Sequence, residues 1–280
     1  MDYIKPADLV KNMLIAGDTK AALSIKDLLI RGFLSGALLG FATSLALTAT
    51  AQTNTALVGA LVFPVGFVMI VLLGLELVTG SFAITTLAAV DGRKSWSQVA
   101  SNLTWVFLAN LIGSIAYGLL LYVVLTDMGT TAPSGIAAKI VAIAEAKTTG
   151  YAVHGFAGMV TVFVKAILCN WMVCLGVVMA MTSQSTMGKI AAMWLPILTF
   201  FAQGFEHSVV NMFIIPTGML LGAKVSFSDW WWWNQIPVTL GNLVGGFLFT
   251  GLFLYWTYRP AKSVTADESA PVTSAVPVRT

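Results

Sequence analysis

Residues Trp194–Pro216 read WLPILTFFAQGFEHSVVNMFIIP, an apolar stretch with Glu206 and His207 side by side at its centre. A carboxylate or an imidazole at membrane depth is costly unless it is paired or faces water. The chain has only two histidines and twelve acidic residues, so two such groups inside one greasy run mark a working site. Gly204, Ser208 and Asn211 lie around them, which predicts a helix that breaks at this point. That reads as the site of a membrane channel or carrier.

The rest of the composition agrees. The chain of 280 residues is 58% hydrophobic and only 10% charged, well short of the charge a soluble surface needs. Its 25 glycines and 9 tryptophans suit close-packed membrane helices with aromatic anchors at the interfaces. A net charge of +3 is too small and dispersed for a nucleic-acid partner. Cys169 and Cys174 share one apolar run and read as helix-packing residues, with neither zinc spacing nor a disulfide framework. No cleaved signal peptide is expected, because the first long apolar run follows Arg31.

Six regions are long and apolar enough to cross a bilayer, at roughly 32–51, 56–90, 97–125, 152–182, 190–223 and 236–258. The second and fifth are too long for one crossing and carry Gly, Pro, Thr or charged residues at mid-length. Each is expected to be two half-helices joined by a non-helical turn. Placing the N-terminus in the cytoplasm puts Lys5, Lys11, Lys20, Lys26, Arg31, Arg93, Lys94, Lys189, Arg259, Lys262 and Arg279 inside. Lys139, Lys147 and Lys224 then fall outside and Lys165 lies within the fourth region. Eleven inside against three outside predicts cytoplasmic termini.

The halves echo each other. Gly74–Leu77 (GLEL) matches Gly204–His207 (GFEH) at an offset of 130, 204 minus 74. Asn110–Gly113 (NLIG) matches Asn242–Gly245 (NLVG) at an offset of 132, 242 minus 110. Three crossings per half is an odd number, so the second half enters the membrane the other way up. The expected architecture is therefore all-α, with six transmembrane spans as a 3+3 inverted repeat and two broken helices that meet near the midplane. Residues 1–31 are expected to form a cytoplasmic amphipathic segment, 32–258 the channel domain and 259–280 a disordered cytoplasmic tail. Thr126–Thr149 reads as a polar outer loop, and Trp230–Trp233 as an interfacial belt.

Among residues that carry chemistry, His207 at a helix break is suited to offering a proton or hydrogen bond to a small anion. Its counterpart segment is Glu76–Ser81 (ELVTGS), where Thr79, Gly80 and Ser81 let the chain leave the helix and turn hydroxyls and N–H groups into a cavity. Glu76 and Glu206 are poor anion ligands and are given a structural role, accepting hydrogen bonds at the breaks or pairing with a cation. Lys165 is one such cation, or else it faces another subunit. Asn170 and Asn211 are candidates both for capping the breaks and for lining the route. The sequence carries no zinc-protease, nucleotide-binding, haem or copper signature, so no enzyme activity, cofactor or metal is expected.

The motifs GFEHSVVNM (Gly204–Met212), CNWMVC (Cys169–Cys174), LVT (Leu77–Thr79) and VTLGN (Val238–Asn242) resemble the formate–nitrite transporters over about residues 6–260. The resemblance implies homopentamers of aquaporin-like protomers in the bacterial inner membrane, each with its own pore for small monovalent anions and protons. It places His207 and Thr79 at the site. It also places constrictions on Phe63, Phe67 and Phe200 toward the outside, and on Leu77, Val78 and Val173 toward the cytoplasm. The family's outer-vestibule lysine maps without a gap onto His154, whereas the local sequence AKTT at Ala146–Thr149 maps it onto Lys147, seven residues away, 154 minus 147. The expected mechanism neutralises the anion by protonation at or near His207, between two apolar gates. Local sequence at Cys169–Cys174 and Ala146–Thr149 favours nitrite, with formate next. A passive water or neutral-solute channel of similar fold is the alternative.

Overall fold

The computed structural model describes residues 2–259, and the expected disordered tail with Lys262 and Arg279 lies outside them apart from Arg259. Among the described residues the chain is helical throughout, apart from one isolated bridge between Tyr3 and Ser183. Four helices are long and apolar enough to cross a membrane: α2 (Ile25–Thr53), α5 (Trp96–Thr126), α8 (Gly155–Ala180) and α11 (Phe227–Tyr258). Between them run shorter apolar helices, α3 (Ala56–Leu72) and α4 (Val78–Val90) in the first half, α9 (Thr186–Ala202) and α10 (Ser208–Leu220) in the second. Three further elements are α1 (Pro6–Ala21), α6 (Ile136–Ala146) and the single turn α7 (Thr149–Ala152).

Local chemistry sets the ends. Ser24 caps α2 by accepting from the Asp27 N–H, and Ser95 with Gln98 closes a capping box on α5. Non-helical stretches separate α3 from α4 and α9 from α10. Helix α3 stops at Leu72 and α9 at Ala202, each followed by a glycine with positive φ, +63° at Gly74 and +65° at Gly204. Those residues close matching turns, with Leu75 N–H bonded to the Ile70 carbonyl and Phe205 N–H to that of Phe200. The backbone then runs extended through Leu77 and His207, at φ −113° and −111°, before a new helix begins.

Small residues bring the long helices together. A Cβ on Gly36 would overlap the Asn110 carbonyl, and one on Gly113 the Phe33 carbonyl, so α2 and α5 cross almost backbone to backbone. In the second half Gly245 of α11 meets the Ile167 carbonyl of α8 in the same manner. Helix α11 has π-helical turns at Trp231–Gln235 and Gly245–Leu252, the second containing Gly245, Gly246 and Gly251.

Three boundaries differ from expectation. The amphipathic segment ends at Ala21, and α2 starts at Ile25 rather than near residue 32. The segment expected as a polar outer loop contains α6, because Ala137, Ile140 and Ala144 fall on one face and are buried against α10. Of the four tryptophans expected as a belt, Trp230 is buried with its Nε1–H on Gln235, while Trp232 faces outward.

Helix α1 packs its buried face, Leu9, Val10, Met13 and Leu14, along α4. The segment before it is tied down at Asp2, whose carboxylate accepts from Ser183 Oγ and from the N–H groups of Gln184 and Ser185. Those bonds hold the Asp2 carboxyl down at about 2, so this tie keeps its charge far below neutral pH. Replacing Gly113 by valine is expected to push α2 from α5, cost about 1–3 kcal/mol and lower the thermal midpoint of the detergent-solubilised protein. An unchanged midpoint would remove the backbone contact from this description.

Candidate functional site

The two breaks are held by one asparagine each, from a neighbouring long helix. Asn110 of α5 donates its amide to the carbonyls of Gly32 and Glu76, both at 2.8 Å, and its Oδ1 accepts the Val78 N–H at 2.9 Å. Asn242 of α11 donates to the carbonyls of Ala166 and Glu206 at 2.8 and 2.9 Å, and accepts the Ser208 N–H at 2.8 Å. Each amide therefore satisfies the carbonyl of the glutamate before the break and the first N–H after it. Such groups would otherwise lie unpaired in an apolar interior.

Each glutamate is in turn paired with a lysine. Glu76 accepts from Lys20 at the end of α1 at 2.7 Å, and Glu206 from Lys147 just after α6 at 2.7 Å. Both carboxylates are only 2% exposed, so the lysines balance charges that water barely reaches. Glu206 also accepts from Tyr151 Oη at 2.8 Å and from Asn211 Nδ2 at 2.8 Å. The expected structural role of the glutamates therefore has defined partners here. Lys147 is the lysine at Glu206, whereas His154 only lines the adjacent cavity. Lys165 is not a direct partner of either glutamate: its Nζ lies 3.4 Å from Tyr151 Oη.

Thr79 and His207 come together at the starts of α4 and α10, with Oγ1 and Nε2 2.9 Å apart. The His207 ring also caps α10, because Nδ1 accepts the Val210 N–H at 3.1 Å. That bond assigns the ring proton to Nε2, which donates to Thr79 Oγ1 and leaves the threonine hydroxyl hydrogen free to turn toward a ligand. A doubly protonated ring would have to surrender the Val210 bond. The Thr79 carbonyl is fixed by Asn170 Nδ2 at 3.0 Å and Cys174 Sγ at 3.2 Å, one helical turn apart on α8.

Asn170 and Asn211 are thus both committed to holding the frame, Asn170 on the Thr79 and Asn242 carbonyls and Asn211 on Glu206 and Asn234, and neither lines a cavity described below. Cys174 does more than pack. Lys20, Tyr151 and Cys174 carried no signal in the sequence that assigned them here. Asn110 and Asn242 did, as polar residues repeated inside apolar spans.

Two cavities approach the Thr79–His207 pair. One, of about 260 Å³, is lined by Lys20, Phe67, Leu77, Gly80, Val177 and Lys189 among others. The other, of about 640 Å³, is lined by Lys147, Tyr151, His154, Lys165, Gly204 and Glu206 among others. Phe63, Phe67, Phe200, Leu77, Val78 and Val173 are all buried, and Phe67 and Leu77 line the first of these cavities. The Phe200 ring stacks on His207 with centroids 5.7 Å apart, and Phe63 meets Phe200 edge-on at 5.7 Å. Phe67 departs from expectation. It lines the Lys20 cavity with Leu77, on the side expected for Leu77 rather than with Phe63 and Phe200. Its position one turn beyond Phe63 on α3 carries it toward the break.

The sequence pattern of formate/nitrite transporters matches residues 7–256. A probable formate transporter of Methanothermobacter thermautotrophicus is 37% identical over 91% of this chain and 97% of its own. The formate channel FocA of Escherichia coli K12 is 33% identical over 91% of this chain and 94% of its own. Among solved structures, an FNT family ion channel superposes with a TM-score of 0.78 at 29% identity, covering 90% of this chain and 99% of that one. A pentameric formate channel with formate bound gives 0.68 at 27% identity, covering 84% and 97%. These relatives are transporters and channels rather than enzymes. With its apolar helices, its paired breaks and this match over nearly its whole length, the chain belongs to the formate/nitrite transporter family.

Proposed function

We propose that this chain carries small monovalent anions across a membrane, formate foremost and nitrite next, and that the anion is protonated in transit beside Thr79 and His207. The observation that carries this reading is the Thr79–His207 contact at 2.9 Å, buried between two lysine-bearing cavities and flanked by apolar rings. The local sequence favoured nitrite. The names of the formate-carrying relatives move formate ahead of it. A passive water or neutral-solute channel finds no support among the relatives.

The physical argument concerns desolvation. A bare anion entering a passage lined by Phe63, Phe200, Leu77, Val78 and Val173 loses most of its hydration and finds no full positive charge there. A weak acid crosses the same passage as a neutral molecule. In this reading the Thr79 hydroxyl, its oxygen held by His207 Nε2–H, donates to an oxygen of the anion while a proton arrives from the cavity water. The Nδ1 bond to Val210 supports a histidine that stays neutral and acts as a hydrogen-bond donor, with the proton for the anion supplied by cavity water rather than stored on the ring.

The architecture that goes with this reading is a six-span 3+3 inverted repeat with two broken helices. Its support is the repeated bond set: Gly74 with Gly204, Glu76 with Glu206, Lys20 with Lys147, and Asn110 with Asn242. The lysine and arginine distribution supports cytoplasmic termini in an inner membrane. The solved pentameric relative supports a homopentamer.

Formate flux into proteoliposomes is expected to rise as external pH falls from about 8 to 5, and His207→Asn to lower it roughly tenfold or more and flatten that dependence. An unchanged pH dependence in the variant sinks the assignment to His207. The structural role of Glu206 has its own test. Lys147→Met leaves a buried carboxylate unpaired and is expected to cost roughly 3 kcal/mol in thermal unfolding, while adding Glu206→Gln recovers most of the loss. A double variant no more stable than Lys147→Met would show that the pair is not coupled in this way.

A further inference from the structure

The correspondence between the two breaks reaches one more pair of asparagines. Asn102 of α5 and Asn234 of α11 lie at the offset of 132 that relates Asn110 to Asn242, 234 minus 102. Both are buried, and each donates its amide to a lysine carbonyl at 2.8 Å, Asn102 to that of Lys20 and Asn234 to that of Lys147. Those are the lysines whose ammonium groups meet Glu76 and Glu206. The bond also fixes which way each amide is turned, since a flipped group would set its oxygen against the lysine carbonyl.

The two amide oxygens differ in what they meet. Asn234 Oδ1 accepts from Asn211 Nδ2 at 2.8 Å, and the same nitrogen donates to Glu206 Oε2 at 2.8 Å. Asn211 thus joins the carboxylate to the asparagine. Its counterpart is Ser81, 211 minus 130, five residues after Glu76 as Asn211 is five after Glu206. Ser81 Oγ reaches Glu76 Oε2 only at 3.5 Å, and Asn102 Oδ1 has no hydrogen-bond partner among the described residues. Glu206 accepts from Lys147, Tyr151, Asn211 and Asn234, whereas Glu76 accepts from Lys20 and this one long contact. Two buried acceptors of the first half, Glu76 Oε2 and Asn102 Oδ1, therefore lack the donor that joins their counterparts.

We infer that one water molecule takes the place of the Asn211 amide in the first half, donating to Glu76 Oε2 and Asn102 Oδ1 and accepting from the Ser81 hydroxyl. Three hydrogen bonds are what a buried water usually makes, and serine is shorter than asparagine by the length of an amide group. The supply is close: Lys20 and the residues on either side of Glu76, Leu75 and Leu77, line the smaller cavity with Gly80. A small cation such as ammonium fits the same acceptors less well. Lys20 already balances Glu76, so a second positive charge would stay uncompensated in an apolar interior. The frame around Glu206 is closed by side chains, and the frame around Glu76 is completed by a molecule that exchanges with the cavity.

The test is a density map of the detergent-solubilised protein, at a resolution that orders buried waters, for wild type, Ser81→Asn and Asn211→Ser. Wild type is expected to show a peak about 2.8 Å from both Glu76 and Asn102. In Ser81→Asn that peak is expected to be lost, with the new amide nitrogen in its place. Asn211→Ser is expected to gain a matching peak between Glu206 and Asn234, and it tests the idea even where Ser81→Asn fails to fold. A wild-type map that orders other buried waters but shows no peak here overturns the inference. A peak that Ser81→Asn leaves in place overturns it too, as does an Asn211→Ser map without the matching peak. A wild-type peak that appears only when ammonium is added would make the occupant a cation and would equally overturn it.

Discussion

Everything in the site depends on two side-chain amides that complete broken backbone. Asn110 and Asn242 each hold the glutamate carbonyl on one side of a break and the first helical N–H on the other. In an apolar interior each of these groups would otherwise be costly to leave unpaired, and the chain would be driven back to continuous helix. Once the breaks are fixed, the half-helices α4 and α10 start in the interior, and their first residues fall together. The glycines at 74 and 204 supply the left-handed turn that such a stop requires.

The frame is repeated but the chemistry is not. At the offset of 130 that relates Gly74 to Gly204, Leu77 corresponds to His207 and Thr79 to Val209. Both Leu77 and His207 occupy the residue before a half-helix, with nearly the same backbone angles. Only the second half places an imidazole there, and only the first places a hydroxyl two residues on. A near-symmetric scaffold thus yields one polar pair with a donor from each half, and apolar groups fill the complementary positions. This arrangement leaves a single polar contact between Thr79 and His207, while the lysine–glutamate pairs remain common to both halves.

Much of this was legible because it breaks a rule that apolar sequence otherwise obeys. Glu206 and His207 inside WLPILTFFAQGFEHSVVNMFIIP, and Gly74–Thr79 in the first half, stand out against their surroundings. The repeated asparagines were visible for the same reason. What was not legible depends on tertiary contact. Lys20 reads from sequence as one more cytoplasmic lysine, and its bond to Glu76, 56 positions away, is set by how α1 lies along α4. Tyr151 lies in a short turn whose position relative to Glu206 no local pattern encodes. Helix α6 was hidden because alanines make a weak apolar face, and its burial comes from α10. Lys147 and His154 read alike from sequence, and only the fold separates them: the turn α7 lies between, Lys147 reaches Glu206 and His154 sits just before α8.

The central claim is that the anion passes the apolar core as a neutral acid, and the most direct measurement counts charge and protons together. Proteoliposomes loaded with a pH indicator are given a formate gradient while net current is recorded on a supported membrane, with protein-free vesicles as the baseline. Protonation in transit gives protein-dependent internal acidification that matches formate entry, with almost no net current. A sustained current equal to the formate flux, without acidification above baseline, would contradict the claim and show that formate crosses the Thr79–His207 pair as the bare anion.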